Sequence, residues 1–273
     1  IVNNRVRQAY LFYGFHGSGK TSLARIFASA INCKHPNPQS RPCGQCDSCI
    51  AKNQDIVEID AATNTSIEDV RVLRERIQYL PEIGDKRIYI IDEIHRFSGS
   101  AFDALLKMIE EPPRHIIFML ATTEIDKIPD TIQSRCILIP FHPIPAEEIE
   151  NHLINIASVE KISIDNKAIH IIATEAKGSV RDGIKLLDQL AVDPNTIIRV
   201  GDVQKFTGVI HRDLIKKIIV SVVEGKVDGI IENIRLSMEQ GAIPNKLAQQ
   251  ISEAAHAKLI YSINKNDEYQ YKI

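Results

Sequence analysis

Over its first two hundred residues the chain alternates short apolar runs with longer stretches whose apolar positions recur every three or four residues. The runs fall at 9–13, 56–59, 87–91 and 116–121, with a shorter fifth at 137–139, and consist mostly of Ile, Val, Phe, Tyr and Leu. Successive side chains of a strand point to opposite faces, so a run without polar alternation predicts a strand covered on both sides. Helical spacing fills the gaps at 21–31, 67–78 and 101–110. The third helix is expected to open on Ser100, with Asp103 three residues on as a capping box, and to stop before Pro112 and Pro113. Strands alternating with helices predict an α/β fold with a parallel sheet.

The pattern changes after residues 141–145, where Pro143 and Pro145 forbid regular structure and mark a hinge. From there it is helical throughout. Helices are expected at 146–159, 165–176 and 180–191, the last opening after Ser179 with Asp182 three residues further. Beyond a break at 193–195 a further helical region starts near residue 200 and ends in a polar, frayed tail at 264–269. The expected organisation is an α/β domain over 1–141 with a loop insertion at about 33–49, a small helical domain over 142–194 and part of a third, all-helical domain over 195–273.

Composition narrows the function class. At 273 residues the chain is about twice the usual size of one domain, and 44% hydrophobic with 25% charged residues is an ordinary globular profile. Lys and Arg number 33 against 35 Asp and Glu, a net charge of -2, which excludes a generic basic DNA-binder. No apolar stretch approaches the length of a membrane span, and no charged-then-apolar leader is present, so no membrane partner is expected. A start on Ile1 rather than Met reads as a piece of a longer protein.

The first chemical motif follows the first strand. Gly14, Phe15, His16, Gly17, Ser18, Gly19, Lys20 and Thr21 match the phosphate-loop pattern, and Ser22 continues into the next helix. Backbone N–H groups of such a loop and the helix N-terminus point at phosphate oxygens. Lys20 is placed to reach the β- and γ-phosphates and the Thr21 hydroxyl to ligate Mg²⁺. The apolar strand that ends in Asp92 and Glu93 supplies the second half of a triphosphate site. Asp92 is expected to hold Mg²⁺, and Glu93 to act as general base on the attacking water. The bland alternatives are a glycine-rich helix cap for the loop, and for the acids a turn capped by Asp92 with Glu93 a solvated surface charge.

Four of the five cysteines cluster as Cys33, Cys43, Cys46 and Cys49, a C-x9-C-x2-C-x2-C spacing in a proline-rich loop. Two-residue gaps turn successive thiolates toward one centre, and four thiolates satisfy tetrahedral Zn²⁺ in a structural site. An iron–sulfur cluster is the chemical rival. His35 and Cys136 are read as surface or packing residues, and the remaining histidines show no metal spacing; His95, just after the acids, could contact nucleotide-dependent neighbours but is read as structural.

Asp92 to His95, the run Ala101 to Lys107, Glu110 to Pro113, Ala121 to Glu124 and Ser134-Arg135-Cys136 together resemble the AAA+ ATPases of bacterial sliding-clamp loaders, the gamma/tau group of DNA polymerase III. The cysteine insertion fits that group too. The resemblance covers about residues 5–193. It implies ATP as the nucleotide, an AAA+ domain, a helical lid and an oligomerising collar. It further implies that Arg135 enters a neighbouring subunit's ATP site, that Thr122 or Thr123 is a first γ-phosphate sensor, and that Arg181 is a second sensor acting on its own subunit's ATP. The implied partners are other loader subunits in homo- and hetero-oligomers, the sliding clamp and primer–template DNA, in the cytoplasm at the nucleoid. The family also has some thirty residues before the point where this chain starts, which help enclose the base. A scaffold subunit that does not hydrolyse ATP, or another AAA+ replication or recombination ATPase, is the alternative.

Overall fold

The computed structural model describes residues 6–51, 54–63, 67–192, 196–210 and 212–263. The break expected at 193–195 and the tail at 264–269 lie outside the described residues. Two compact units emerge. One is built from the described residues up to Ile144 together with Gly178–Arg181, and the other from Pro145–Lys177 and the residues from Asp182 onward.

The first unit is a five-stranded sheet of β1 (Ala9–Gly14), β2 (Ile56–Asp60), β3 (Arg87–Asp92), β4 (Ile116–Thr122) and β5 (Ile137–Phe141). The order is β2-β3-β4-β1-β5, and every pairing is parallel. Alternation sorts the apolar runs into two cores. Leu11, Tyr89, Ile91, Phe118 and Leu120 face one side, where Val70 and Leu73 of α3 (Ile67–Arg76) and Leu105 and Met108 of α4 (Gly99–Glu110) cover them. Tyr10, Phe12, Ile88, Ile90, Ile117 and Met119 face the other, under Ala24 and Ala28 of α1 (Lys20–Asn32). Side chains as small as alanine let α1 lie close on the sheet. Burial on both faces is what unbroken apolar runs require. Because all strands run the same way, Gly14, Asp60, Asp92, Thr122 and Phe141 end at one edge.

Several details depart from the expectations. Helix α4 is capped by Ser98, whose Oγ accepts the Ala101 N–H at 3.3 Å, so the expected start on Ser100 is corrected by two residues. Ser98 has the extended backbone an N-cap needs, while Ser100 lies inside the first turn and bonds the Ser98 hydroxyl at 3.1 Å. Strand β5 runs through Pro140 to Phe141, which an edge strand tolerates, since it pairs only with β1. The one-turn helices α2 (Asp47–Ile50) and α5 (Asp130–Gln133) are too short to show a period.

A buried carboxylate secures the edge of the sheet. Asp55 is 2% exposed and accepts backbone N–H groups of Glu82, Ile83 and Gly84 at 2.6–2.9 Å. Burial alone would raise its pKa, but these three bonds and nearby Arg87 hold it below the usual carboxylate range. A depressed folded pKa contributes stability that is complete above the unfolded value of about 3.9 and is lost as pH falls through the folded one. Asp55→Ala strands three N–H groups, with an expected loss of about 3 kcal/mol in denaturant titrations. Repeating the titrations with falling pH should show that loss shrinking below about pH 4; a pH-independent deficit would contradict this assignment.

The second unit is helical: α6 (Ala146–Glu160), α7 (Asn166–Glu175), α8 (Val180–Leu190, whose first two residues belong to the first unit), α9 (Val200–Thr207), α10 (Arg212–Val223), α11 (Val227–Glu239) and α12 (Pro244–Ile263). Ile149, Leu153 and Ala157 recur at four-residue spacing on α6 and are buried with Ala168, Ile169 and Ile172 of α7. Gly183 in α8 lies against Ile149, Leu153 and Ala176, so a side chain there meets packed atoms at once. Ile210, Ile215, Ile218, Ala242 and Leu247 form a separate core among the later helices.

Candidate nucleotide-binding site

The loop between β1 and α1 lies at the carboxyl edge of the sheet, where open α/β sheets take ligands. Gly17 has φ +68° and lies so close to Ser179 that a Cβ would collide with its Oγ and come within 3.2 Å of the Arg181 Cβ. The loop and the start of α8 therefore touch, and Arg181 stands beside the phosphate loop. Lys20 is 6% exposed, and its Nζ donates to the carbonyls of Gly14 at 3.1 Å and Phe15 at 2.9 Å. Burial lowers its pKa against the opposing pull of Glu93 and Asp92. Ser18 Oγ closes the loop onto the Phe15 carbonyl at 2.6 Å. Phe15, His16 and Gly19 complete the turn, and Ser22 is exposed on the first turn of α1.

Across the loop, Thr21 Oγ1 donates to Asp92 Oδ2 at 2.6 Å. A hydroxyl and a carboxylate in contact at a phosphate loop are groups that could hold Mg²⁺ beside a triphosphate. Glu93 follows with φ +50°, a left-handed conformation unfavourable for Glu. Its carboxylate Oε2 accepts from Thr123 Oγ1 at 3.1 Å.

A family model described as "DNA polymerase III, delta subunit" matches residues 1–145, and one described as "DNA polymerase III clamp loader subunit, ATPase lid domain" matches residues 148–192. A gamma subunit of DNA polymerase III from Buchnera aphidicola is 37% identical over 98% of this chain and 74% of its own length. The chain belongs to the DNA polymerase III clamp-loader family. The tau subunit of Bacillus subtilis is 37% identical over 96% of this chain, which spans only 47% of that relative's length. Among solved structures, the Thermotoga maritima RuvB branch migration motor superposes with a TM-score of 0.55 at 21% identity, covering 81% of this chain and 70% of its own. That likeness shows the AAA+ fold.

Against this clamp-loader frame the other expected residues fall into place unequally. Thr122 is fully buried, and its Oγ1 accepts the Glu124 N–H at 3.0 Å. Thr123 is the threonine whose hydroxyl meets Glu93, so the two are no longer equivalent. Sequence reasoning favoured a structural role for His95 over contact with nucleotide-dependent neighbours, and its ring sits within this group. Nδ1 lies 3.0 Å from Thr122 Oγ1 and 3.3 Å from Glu93 Oε2, and Nε2 lies 3.1 Å from Glu124 Oε1. The available signal was its place two residues after the acidic pair, with Glu124 directly after the two threonines. Arg135 bonds elsewhere: Nη2 to Glu110 Oε1 at 2.8 Å and Nη1 to the Thr131 carbonyl at 2.8 Å.

The four cysteines converge after α1. Their sulfur atoms all lie within 4.8 Å of one another, compatible with a tetrahedral ion at roughly 2.3 Å from each. Backbone N–H groups of Cys43, Gln45 and Cys46 point at the sulfurs of Cys33 and Cys43 at 3.4 Å. Such bonds favour thiolate over thiol; those from Lys34 and Cys49 lower the Cys46 pKa to about 6. Gly44 has φ +70°, which the tight turn between Cys43 and Cys46 demands. Cys136 is apart from this group, packed on the sheet core, and burial pushes its thiol up to about 12.

Among the described residues no helix is long and apolar enough to cross a membrane.

Proposed function

We propose that this chain is an ATP-hydrolysing motor subunit of a clamp loader, coupling the ATP cycle to placing a sliding clamp on primed DNA. The observation that carries this reading is the Thr21–Asp92 contact at an intact phosphate loop, with Glu93 one residue on. A scaffold subunit needs none of Lys20, Thr21, Asp92 and Glu93. Lys20 holds the β- and γ-phosphates, and Thr21 and Asp92 hold Mg²⁺. Glu93 orients and deprotonates the attacking water, with Thr123 fixing its carboxylate and sensing the γ-phosphate. Arg181, beside Gly17, reaches the γ-phosphate of its own subunit, and Arg135 reaches that of a neighbour. Cys33, Cys43, Cys46 and Cys49 hold a structural Zn²⁺.

In this reading residues 1–141 are the AAA+ domain, 142–194 the lid and 195–273 part of the collar. The partners are further loader subunits, the clamp and primer–template DNA, in the cytoplasm at the nucleoid. The near-neutral net charge of -2 suits DNA contacts shared around a ring.

Lys20→Ala should abolish ATP binding, because the loop loses the buried ammonium facing the phosphates while its backbone is kept. Calorimetry with ATP and Mg²⁺ measures this directly. Wild-type affinity in the variant would sink the site assignment.

A further inference from the structure

We propose that Glu110 is a positioning residue that presents Arg135 to the neighbouring subunit. The inference rests on the reading that Arg135 acts in trans. Glu110 and Glu111 end α4, followed by Pro112 and Pro113. Carboxylates are disfavoured at a helix C-terminus, where the dipole already places negative charge. A broken local rule calls for a compensating gain, and here it is the Arg135 guanidinium at 2.8 Å from Glu110 Oε1. Stability is a poor account of the pair, since both side chains are about 40% exposed and such pairs add little.

Both ends of the contact are held by their surroundings. Gln8 Nε2 donates to the Pro113 carbonyl at 2.9 Å, fixing the chain just after Glu110. Arg135 stands between Ile132, fully buried, and Cys136, packed on the sheet core. Its guanidinium is held through both terminal nitrogens, with Nη2 on Glu110 and Nη1 on the Thr131 carbonyl and, at 3.4 Å, the Ser134 Oγ. The side chain is thereby aimed before a neighbour arrives, and it keeps its exposed face for a phosphoryl group. Orientation set in advance removes the loss of rotamer freedom from the reacting step.

The test uses the assembled clamp loader with Glu110→Ala, Glu110→Gln, Arg135→Ala and the Glu110→Ala/Arg135→Ala double variant. Glu110→Ala should lower kcat roughly ten- to a hundredfold with the KM for ATP unchanged. Glu110→Gln, which retains shape and one acceptor, should recover part of that loss. The double variant should be no slower than Arg135→Ala alone, and thermal unfolding of the single chain should be unaffected by Glu110→Ala. Unchanged or raised kcat in both Glu110 variants, alongside a collapsed Arg135→Ala, overturns the positioning role alone. Additive losses in the double variant overturn it too. An active Arg135→Ala complex overturns this proposal together with the trans reading beneath it.

Discussion

Replacing Arg135 by alanine should collapse ATP turnover in the assembled complex by roughly 10³–10⁵ while leaving nucleotide binding intact. The side chain is about 39% exposed, and its bonds are to Glu110 and Thr131 rather than to the loop at Lys20. A guanidinium that meets the γ-phosphoryl group only when a neighbour docks stabilises charge developing in the transition state, so kcat falls and affinity does not. The same substitution in the isolated chain should change its slow basal turnover little. Arg135→Lys should rescue poorly, since a point charge lacks the planar fork that spans two oxygens. Steady-state hydrolysis with and without partner subunits, beside a nucleotide-binding titration, separates these cases. Full turnover in the assembled variant would remove the trans assignment.

The second large effect concerns the cysteine module. The purified chain should carry one Zn²⁺, and stripping it should release residues 33–50 to rapid hydrogen exchange and proteolysis. Structural zinc in small modules contributes about 10–16 kcal/mol of apparent binding energy. Cys46→Ser should lose the metal at equimolar zinc. ATP affinity should nevertheless change by less than a few-fold. Asn32, the residue before the first cysteine, bonds Lys86 through both ends of its amide, at 2.8 and 3.0 Å. That pair anchors the end of α1 to the approach of β3 without the metal. Loss of ATP binding on chelation would show that the anchor is insufficient, and absorption from an iron–sulfur chromophore would replace zinc outright.

How much of this was legible in the sequence varied with the kind of signal. Strands buried on both faces announce themselves as unbroken apolar runs, so β1, β3 and β4 were read within a residue of their bounds. The phosphate loop was legible because its glycines and lysine occupy fixed offsets between a strand and a helix. The two threonines could not be told apart, because strand register and the path after β4 decide which hydroxyl meets Glu93. The partners of His95 were out of reach for the same reason: a histidine that joins two strand ends carries no spacing signal within either one. Ser98 was missed because Ser100 and Asp103 imitate a capping box, while backbone angles decide which serine caps. The one-turn α5, which carries Thr131 below Arg135, had no periodicity to detect.

Helix α1 spans thirteen residues, about 20 Å, with Lys20 at one tip and the first cysteine just beyond the other. It is in effect a strut with a different chemistry bolted to each end. Its alanine face rests on the sheet along its length, and the Asn32 amide pins its far tip. A strut held that way should resist rocking, so the expected outcome is that disturbance at the cysteine tip dies out before it reaches the phosphate tip. Substitutions at Ala24 or Ala28 act in the opposite sense. A larger side chain there would lift the strut along its whole length and move the phosphate-binding tip, without touching a single ligand-binding residue.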